Sequence, residues 1–244
     1  MDEARRLAAA GAPHGTVVVA DVQEAGRGRV AGRVWADEAG KSLLCTTLLR
    51  FPSLAAMPRG LTLRAGLAAA RAVEDAAPAL AGRVLVKWPN DLLVVNDLSD
   101  AAGSSRARKL CGILCESDGK NVFVGVGINV GQTGFPEKLA AKATSIAMES
   151  GAEPNHPDRF TVLVRLLARL KEALSPAEDG RWKAEVEARL FLRGRRVRFM
   201  DGAADSGKTV EGVLSGIGDG GELLIKEDGQ DGSCAFVAGE LLVY

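Results

Sequence analysis

The sequence predicts an α+β protein in which a β-sheet packed with helices is followed by a small all-β unit. Up to Leu192, β-branched runs alternate with stretches whose apolar residues recur at helical spacing. Beyond Leu192 that spacing stops, and five short strands separated by glycine turns follow in about 50 residues, the pattern of a small β-barrel. The expected units are therefore 1–192 and 193–244.

The elements follow in order. Residues 2–10 read as a helix with Leu7 and the alanines on one side, broken at His14-Gly15. Thr16–Asp21 is a β-branched strand, and a glycine- and arginine-rich loop runs on to about Trp35. Leu43–Leu49 is a second strand, and the alanine- and leucine-dense Leu61–Ala76 is a buried helix. Val84–Trp88 is a strand that stops at Pro89, and Leu92–Val95 begins another. Residues 96–108 are small and polar, an exposed insertion. Strands are expected at Lys109–Glu116 and Asn121–Val130, and helices at Phe160–Leu174 and Arg181–Leu192. The late strands are Arg195–Met200, Thr209–Gly216, Glu222–Lys226, Cys234–Val237 and Leu241–Val243.

Bulk properties exclude several classes. With 47% hydrophobic residues in 244, a packed core is available and global disorder is not expected. A formal net charge of zero argues against a protein that coats nucleic acid. No apolar run approaches the roughly 20 residues that span a bilayer, so no membrane partner is expected. The N-terminus MDEARRLAAAGAPHG lacks the apolar core of a signal peptide, which gives the cytoplasm as the expected location. Cys45, Cys111, Cys115 and Cys234 form no disulfide framework. Cys111 and Cys115 could suggest a metal pair, but in KLCGILCES they share a strand face with Ile113 and read as buried thiols.

Four segments carry chemistry. QEAGRGRVAGRVW, Gln23–Trp35, interleaves Gly26, Gly28 and Gly32 with Arg27, Arg29 and Arg33. Glycines allow close backbone approach, and arginines present charged forks to carboxylate or phosphate. The alternative is a solvated basic turn or a nucleic-acid contact. VKWPND, Val86–Asp91, ends a strand with Lys87, Asn90 and Asp91. Asp91 is a candidate for magnesium and Lys87 for charge neutralisation, unless the motif is only a polar strand end. In RKLCGILCE, Lys109 opens an apolar strand, either as a solvated end or as a charge stabiliser at a reacting carboxylate. In NVFVGVGINVG, Val122, Val124, Val126, Ile128 and Val130 share one face, and Phe123, Gly125, Gly127 and Asn129 the other. Two glycines side by side make a flat floor for a compact ring system, or mark a bulge or a tight helix contact.

In this order the four segments resemble the biotin–protein ligase family, whose pattern is GRGRxGRxW, KWPND, KLxGIL and GxGIN. They stand here as GRGRVAGRVW, KWPND, KLCGIL and GVGIN, and Gly239-Glu240 matches a pair common near the family's end. The resemblance implies a mixed β-sheet catalytic domain related to class II aminoacyl-tRNA synthetases, followed by a barrel like that of Src-homology-3 domains. It implies ATP and biotin as substrates, with Mg2+, and the carrier domain of a biotin-dependent carboxylase as acceptor. Gln23, Gly26, Arg27, Gly28 and Arg29 match the biotin and adenylate site, with Gly112, Gly125 and Gly127 as close-approach positions. Lys109 matches the lysine at the carboxylate and phosphate, and with Arg29 and Lys87 it makes the catalytic set. Arg33, Trp35, Asn90 and Asn129 match the nucleotide side, and Asp91 the metal.

Three departures stand out. Val30-Ala31 adds one residue to the arginine loop, 17 residues separate Asp91 from Lys109, and the family's Ser-Thr pair ahead of the first helix is missing. A longer natural chain carrying that pair is the expectation. No winged-helix domain precedes the motifs, so the repressor role of some relatives is not expected. The rival readings are a lipoate or octanoate ligase or transferase of the same superfamily, and a biotin sensor without activity. A homodimer stays open, since the sequence does not set the oligomeric state.

Overall fold

The computed structural model describes residues 1–24, 26, 28, 38–96, 107–151, 156–202 and 207–242. Its centre is a six-stranded sheet. β1 (Val17–Ala20) forms one edge, then come β2 (Ser42–Arg50), β6 (Asn121–Asn129), β5 (Arg108–Ser117), β4 (Asp91–Val94) and β3 (Val84–Lys87). Every pairing between these strands is antiparallel, so the expected mixed sheet is corrected. The local cause is short connection. Residues 88–90 join β3 to β4 and 118–120 join β5 to β6, and such short turns permit only antiparallel neighbours.

One sheet face carries the helix layer. The 16-residue α2 (Leu61–Ala76) buries nearly its whole alanine-rich surface against β3, β5 and α5 (Arg159–Ala173). Alanine permits this because it fills little space between closely packed elements. Asp158 starts α5 by accepting hydrogen bonds from the backbone of Phe160 and Thr161. The opposite face is covered at one end by α1 (Asp2–Ala9), which sets Ala4 and Ala8 on Leu48 and Phe123. Arg5 fastens it by pairing with Glu116 at 2.6 Å and lying over the Phe123 ring. Beyond α1, residues of that face line a cavity.

Two short helices that periodicity missed, α3 (Glu137–Ala140) and α4 (Ile146–Ser150), follow β6. Each is under two turns, too short for an apolar period to register. α4 carries Glu149, a buried carboxylate that binds Arg83 and Arg108 at 2.5 and 2.6 Å and accepts from Thr144 at 2.7 Å. α6 (Trp182–Ala188) ends earlier than the expected Leu192, which adopts φ 65 in the turn that follows. The polar segment expected as an exposed insertion lies, at 97–106, outside the described residues.

The second sheet runs β10 (Cys234–Phe236), β9 (Leu223–Glu227), β8 (Lys208–Ile217), β7 (Arg196–Asp201) and β11 (Gly239–Leu242), all antiparallel. Among the described residues β10 and β11 remain its two edges. A single apolar cluster passes through both sheets. At the seam the Trp88 ring meets Phe199 at 5.8 Å, and its indole N–H donates to the Gly221 carbonyl at 2.9 Å. Gly60 is required nearby, because a Cβ there would fall 2.5 Å from the Trp182 ring.

All four cysteines are free. Cys111 and Ile113 are buried together in the main cluster, with Cys115 packed against it, as their shared strand face predicts. Burial raises the thiols, Cys45 to about 12 and Cys115 to about 11, and Cys111 in the same direction. Burial thus keeps these thiols protonated at pH 8, and a thiol is a poor nucleophile. Iodoacetamide at that pH should leave Cys45 and Cys111 unlabelled in the native protein and label both in guanidinium, as read by peptide mass spectrometry. Phe199→Ala should destabilise the protein by about 3–5 kcal/mol in urea denaturation, since the ring is fully buried at the seam.

Candidate functional site

The register of the first sheet lines up one row across all six strands: Ala20, Leu44, Gly127, Gly112, Asp91 and Lys87. Paired residues share a face, so a charged pair stands at one end, small or apolar residues at the other, and two adjacent glycines between them. The next row on the same face is Val18, Thr46, Gly125 and Leu114. Together these rows floor a cavity of about 570 Å³.

Of the residues singled out in the sequence, Gln23, Gly28, Lys87, Asn90, Asp91, Lys109, Gly112, Gly125 and Gly127 all line this cavity. A bulge between Leu92 and Leu93 resets the pairing of β4 with β5, so that Leu93 meets Lys109. Lys109 Nζ then reaches Asp91 Oδ1 at 2.7 Å. Asn90 ties the turn to the same strand, donating from Nδ2 to the Ile113 carbonyl at 2.8 Å and accepting the Ile113 N–H on its own carbonyl at 2.8 Å. The two anchored residues, Trp88 at the seam and Asn90 on β5, bracket the cis Trp88-Pro89 bond.

Gly125 bears directly on cavity shape. A Cβ there would come within 2.8 Å of the Met1 side chain and 3.3 Å of the Leu114 carbonyl. Met1, Asp2 and Glu3 therefore form part of the wall.

Two described positions do not line the cavity. Gly26 is buried but is not part of the lining. Asn129 is also buried, donating to the Thr144 carbonyl at 2.9 Å within a polar cluster that includes Gln132 and Ser42. The alternation of β6 put Asn129 on the glycine face correctly, but the strand end is covered by the chain that returns through Thr144 and Ser145. Arg27, Arg29, Arg33 and Trp35 lie outside the described residues.

Sequence reasoning overlooked three parts of the wall. Thr46 was hidden because its significance depends on facing Gly125 across the sheet. Cys45 borders the cavity between Leu44 and Thr46, but alternation turns its thiol into the main core. Glu240 reaches the cavity from β11 of the second sheet. Its Gly-Glu pair was visible, but nothing local connects that strand to the first sheet.

Among the described residues no group of three His, Cys, Asp or Glu is placed to hold a metal ion, and no helix is long and apolar enough to cross a membrane. The site can accommodate an anionic group near Lys87 and Lys109 and a flat, compact body on the glycine floor.

Residues 4–132 match the model of the biotin/lipoate A/B protein ligase family. The bifunctional ligase/repressor BirA of Bacillus spizizenii is 37% identical over 171 residues, covering 67% of this chain and 47% of its own length, so the chain spans about half of that relative. The biotin–[acetyl-CoA-carboxylase] ligase of Mycobacterium tuberculosis is 33% identical over 222 residues, covering 88% of this chain and 75% of its own. Among solved structures, biotin protein ligase from Aquifex aeolicus in complex with biotin and ATP superposes with a TM-score of 0.73 at 28% identity, over 94% of this chain and 89% of that one. With the family model matched over more than half of its length and a relative 33% identical over most of it, the chain belongs to the biotin/lipoate A/B protein ligase family.

Proposed function

We propose that this chain is a biotin–protein ligase that forms biotinyl-5′-AMP from biotin and ATP and then transfers biotin to a lysine of a carboxylase carrier domain. The observation that carries the reading is the cavity itself, whose glycine floor runs up to a lysine–aspartate pair. The Aquifex relative, whose structure holds biotin and ATP, supports both ligands.

In the first step the biotin carboxylate attacks the α-phosphate, and pyrophosphate leaves. Lys109, Lys87 and Arg29 would stabilise the charge that grows on the phosphate, which counts for most where water is excluded. Lys109, paired with Asp91 at 2.7 Å, would exchange that carboxylate for the growing charge. The biotin ring would lie on Gly112, Gly125 and Gly127 beside Gln23 and Gly28, and Gly26 and Arg27 are assigned to the same ligand. Arg33, Trp35, Asn90 and Asn129 are assigned to the nucleotide side. For Asn129 this requires a nucleotide edge to meet the cluster it shares with Gln132. In the second step the acceptor amine attacks the mixed anhydride, and AMP leaves. No enzyme nucleophile is needed, in keeping with the high thiol pKa of Cys45.

Asp91 suits a resident magnesium ion poorly. One of its oxygens already meets Lys109, and no companion carboxylates gather around it among the described residues. Magnesium enters here as part of the Mg–ATP substrate, held mainly by phosphate oxygens and water. We assign residues 193–244 to a second unit of Src-homology-3 type, packed on the first through a shared core, which contributes Glu240 to the site.

Lys109→Ala should lower biotin-dependent ATP/pyrophosphate exchange by about 100-fold while leaving the circular dichroism spectrum unchanged. Exchange at the wild-type rate would remove Lys109 from the chemistry. Gly125→Val should raise the KM for biotin by at least roughly 10-fold, because a branched side chain fills the floor. Running lipoate beside biotin in the same assay tests the substrate: faster exchange with lipoate would favour a lipoate ligase.

A further inference from the structure

We propose that a pocket on the helix side of the first sheet is a second ligand site, which takes a small organic acid through an unused edge of Arg64. It is distinct from the glycine-floored cavity and does not depend on the ligase reading. The pocket measures about 720 Å³, within the range that holds small-molecule ligands. It lies between the chain after β2, the start of α2, the junction of α5 with α6, and the turn between β8 and β9.

Arg64 carries the assignment. It lines the pocket although only 1% of its surface is exposed. Its Nη1 donates to the Ala173 carbonyl at 3.1 Å, and its Nη2 donates to Asp179 Oδ1. Its Nε is buried and has no hydrogen-bond partner among the described residues. Nε and Nη2 lie along one edge of the planar guanidinium, the edge that a carboxylate spans with two parallel hydrogen bonds. Asp179 uses half of that edge. The Asp179 side chain is 65% exposed, so water can solvate it when another acid takes its place. A carboxylate that reaches both nitrogens removes the desolvation cost of Nε, which Asp179 leaves standing. The guanidinium carbon lies 5.5 Å from the centre of the Trp182 ring, a contact that fixes the plane of the edge. The lining favours an anion, since three cations, Arg59, Arg64 and Lys183, stand against two carboxylates, Asp179 and Asp219. Phe51, Met57, Leu174 and Trp182 add an apolar wall that a bare inorganic anion would leave unused. The matching ligand is a carboxylate on an apolar ring or chain.

The test titrates the whole protein with sodium benzoate, followed by calorimetry and by NMR of isotope-labelled arginine side chains. Benzoate should bind saturably and move the Arg64 Nε–H signal downfield, the signal being identified by its loss in Arg64→Lys. Arg64→Lys keeps the charge but lacks the edge, and should weaken benzoate by roughly 10-fold or more, the worth of one hydrogen bond to a charged group. Asp179→Ala should tighten benzoate by about the same factor, because the hydrogen bond it must displace is gone. Benzamide, the uncharged analogue, should not bind. If Arg64→Lys does not fold, Asp179→Ala and benzamide decide alone. Benzoate that fails to bind folded Asp179→Ala, or binds it no more tightly than wild type, overturns the site. Equal binding to wild type and folded Arg64→Lys overturns it too, as does benzamide binding as tightly as benzoate. Inorganic phosphate that binds as tightly as benzoate overturns the assignment to an organic acid.

Discussion

The antiparallel register of β5 with β6 sets Gly112 opposite Gly127, and the site depends on that pairing. A slip of one residue would bring valines or leucines onto the open face and turn the glycines toward the helices. The valines of β6 prevent this slip. Val122, Val124, Val126 and Ile128 are all buried in the main core, so a one-residue slip would expose them to water. The core thus holds the floor flat, although no core side chain needs to touch a ligand.

A second constraint joins the two sheets. Trp88 sits inside the motif that carries Lys87 and Asp91, yet its ring packs on Phe199 of β7 and its N–H donates to the carbonyl of Gly221, in the turn between β8 and β9. The same turn therefore anchors the catalytic candidates and the seam. Through this junction β11 is held where Glu240 can reach the cavity. The five late strands form part of one continuous core with the first sheet.

Much of this was legible in the sequence because it was local. α2 was read from residue to residue, since a 16-residue alanine-rich period has no competing interpretation. The strand face of Cys111, Ile113 and Cys115 followed from alternation alone. Other features were long-range and stayed hidden. The bulge at Leu92/Leu93, which brings Lys109 to Asp91, leaves no local mark. Thr46 acquires its place only through pairing with Gly125, and Asn129 is covered by a segment beginning 15 residues later. The antiparallel sheet was foreseeable from its short turns, but the family's expected mixed sheet obscured it.

Glu149 has a consequence for how the chain tolerates change. It holds Arg83 and Arg108 together, and Arg83 also binds Asn96, so the two strand ends bordering residues 97–106 are tied to one buried carboxylate. Lys109 is fastened independently, its backbone N–H donating to the Lys142 carbonyl at 2.7 Å. These contacts hold the two ends, Asn96 and Arg108, that border residues 97–106. Lengthening a loop closed in this way costs only a slowly growing entropy, about 0.6 kcal/mol per doubling. A foreign peptide or a small fused module grafted between Asn96 and Arg108 would begin and end next to residues tied to one buried carboxylate, which suits the position to protein engineering.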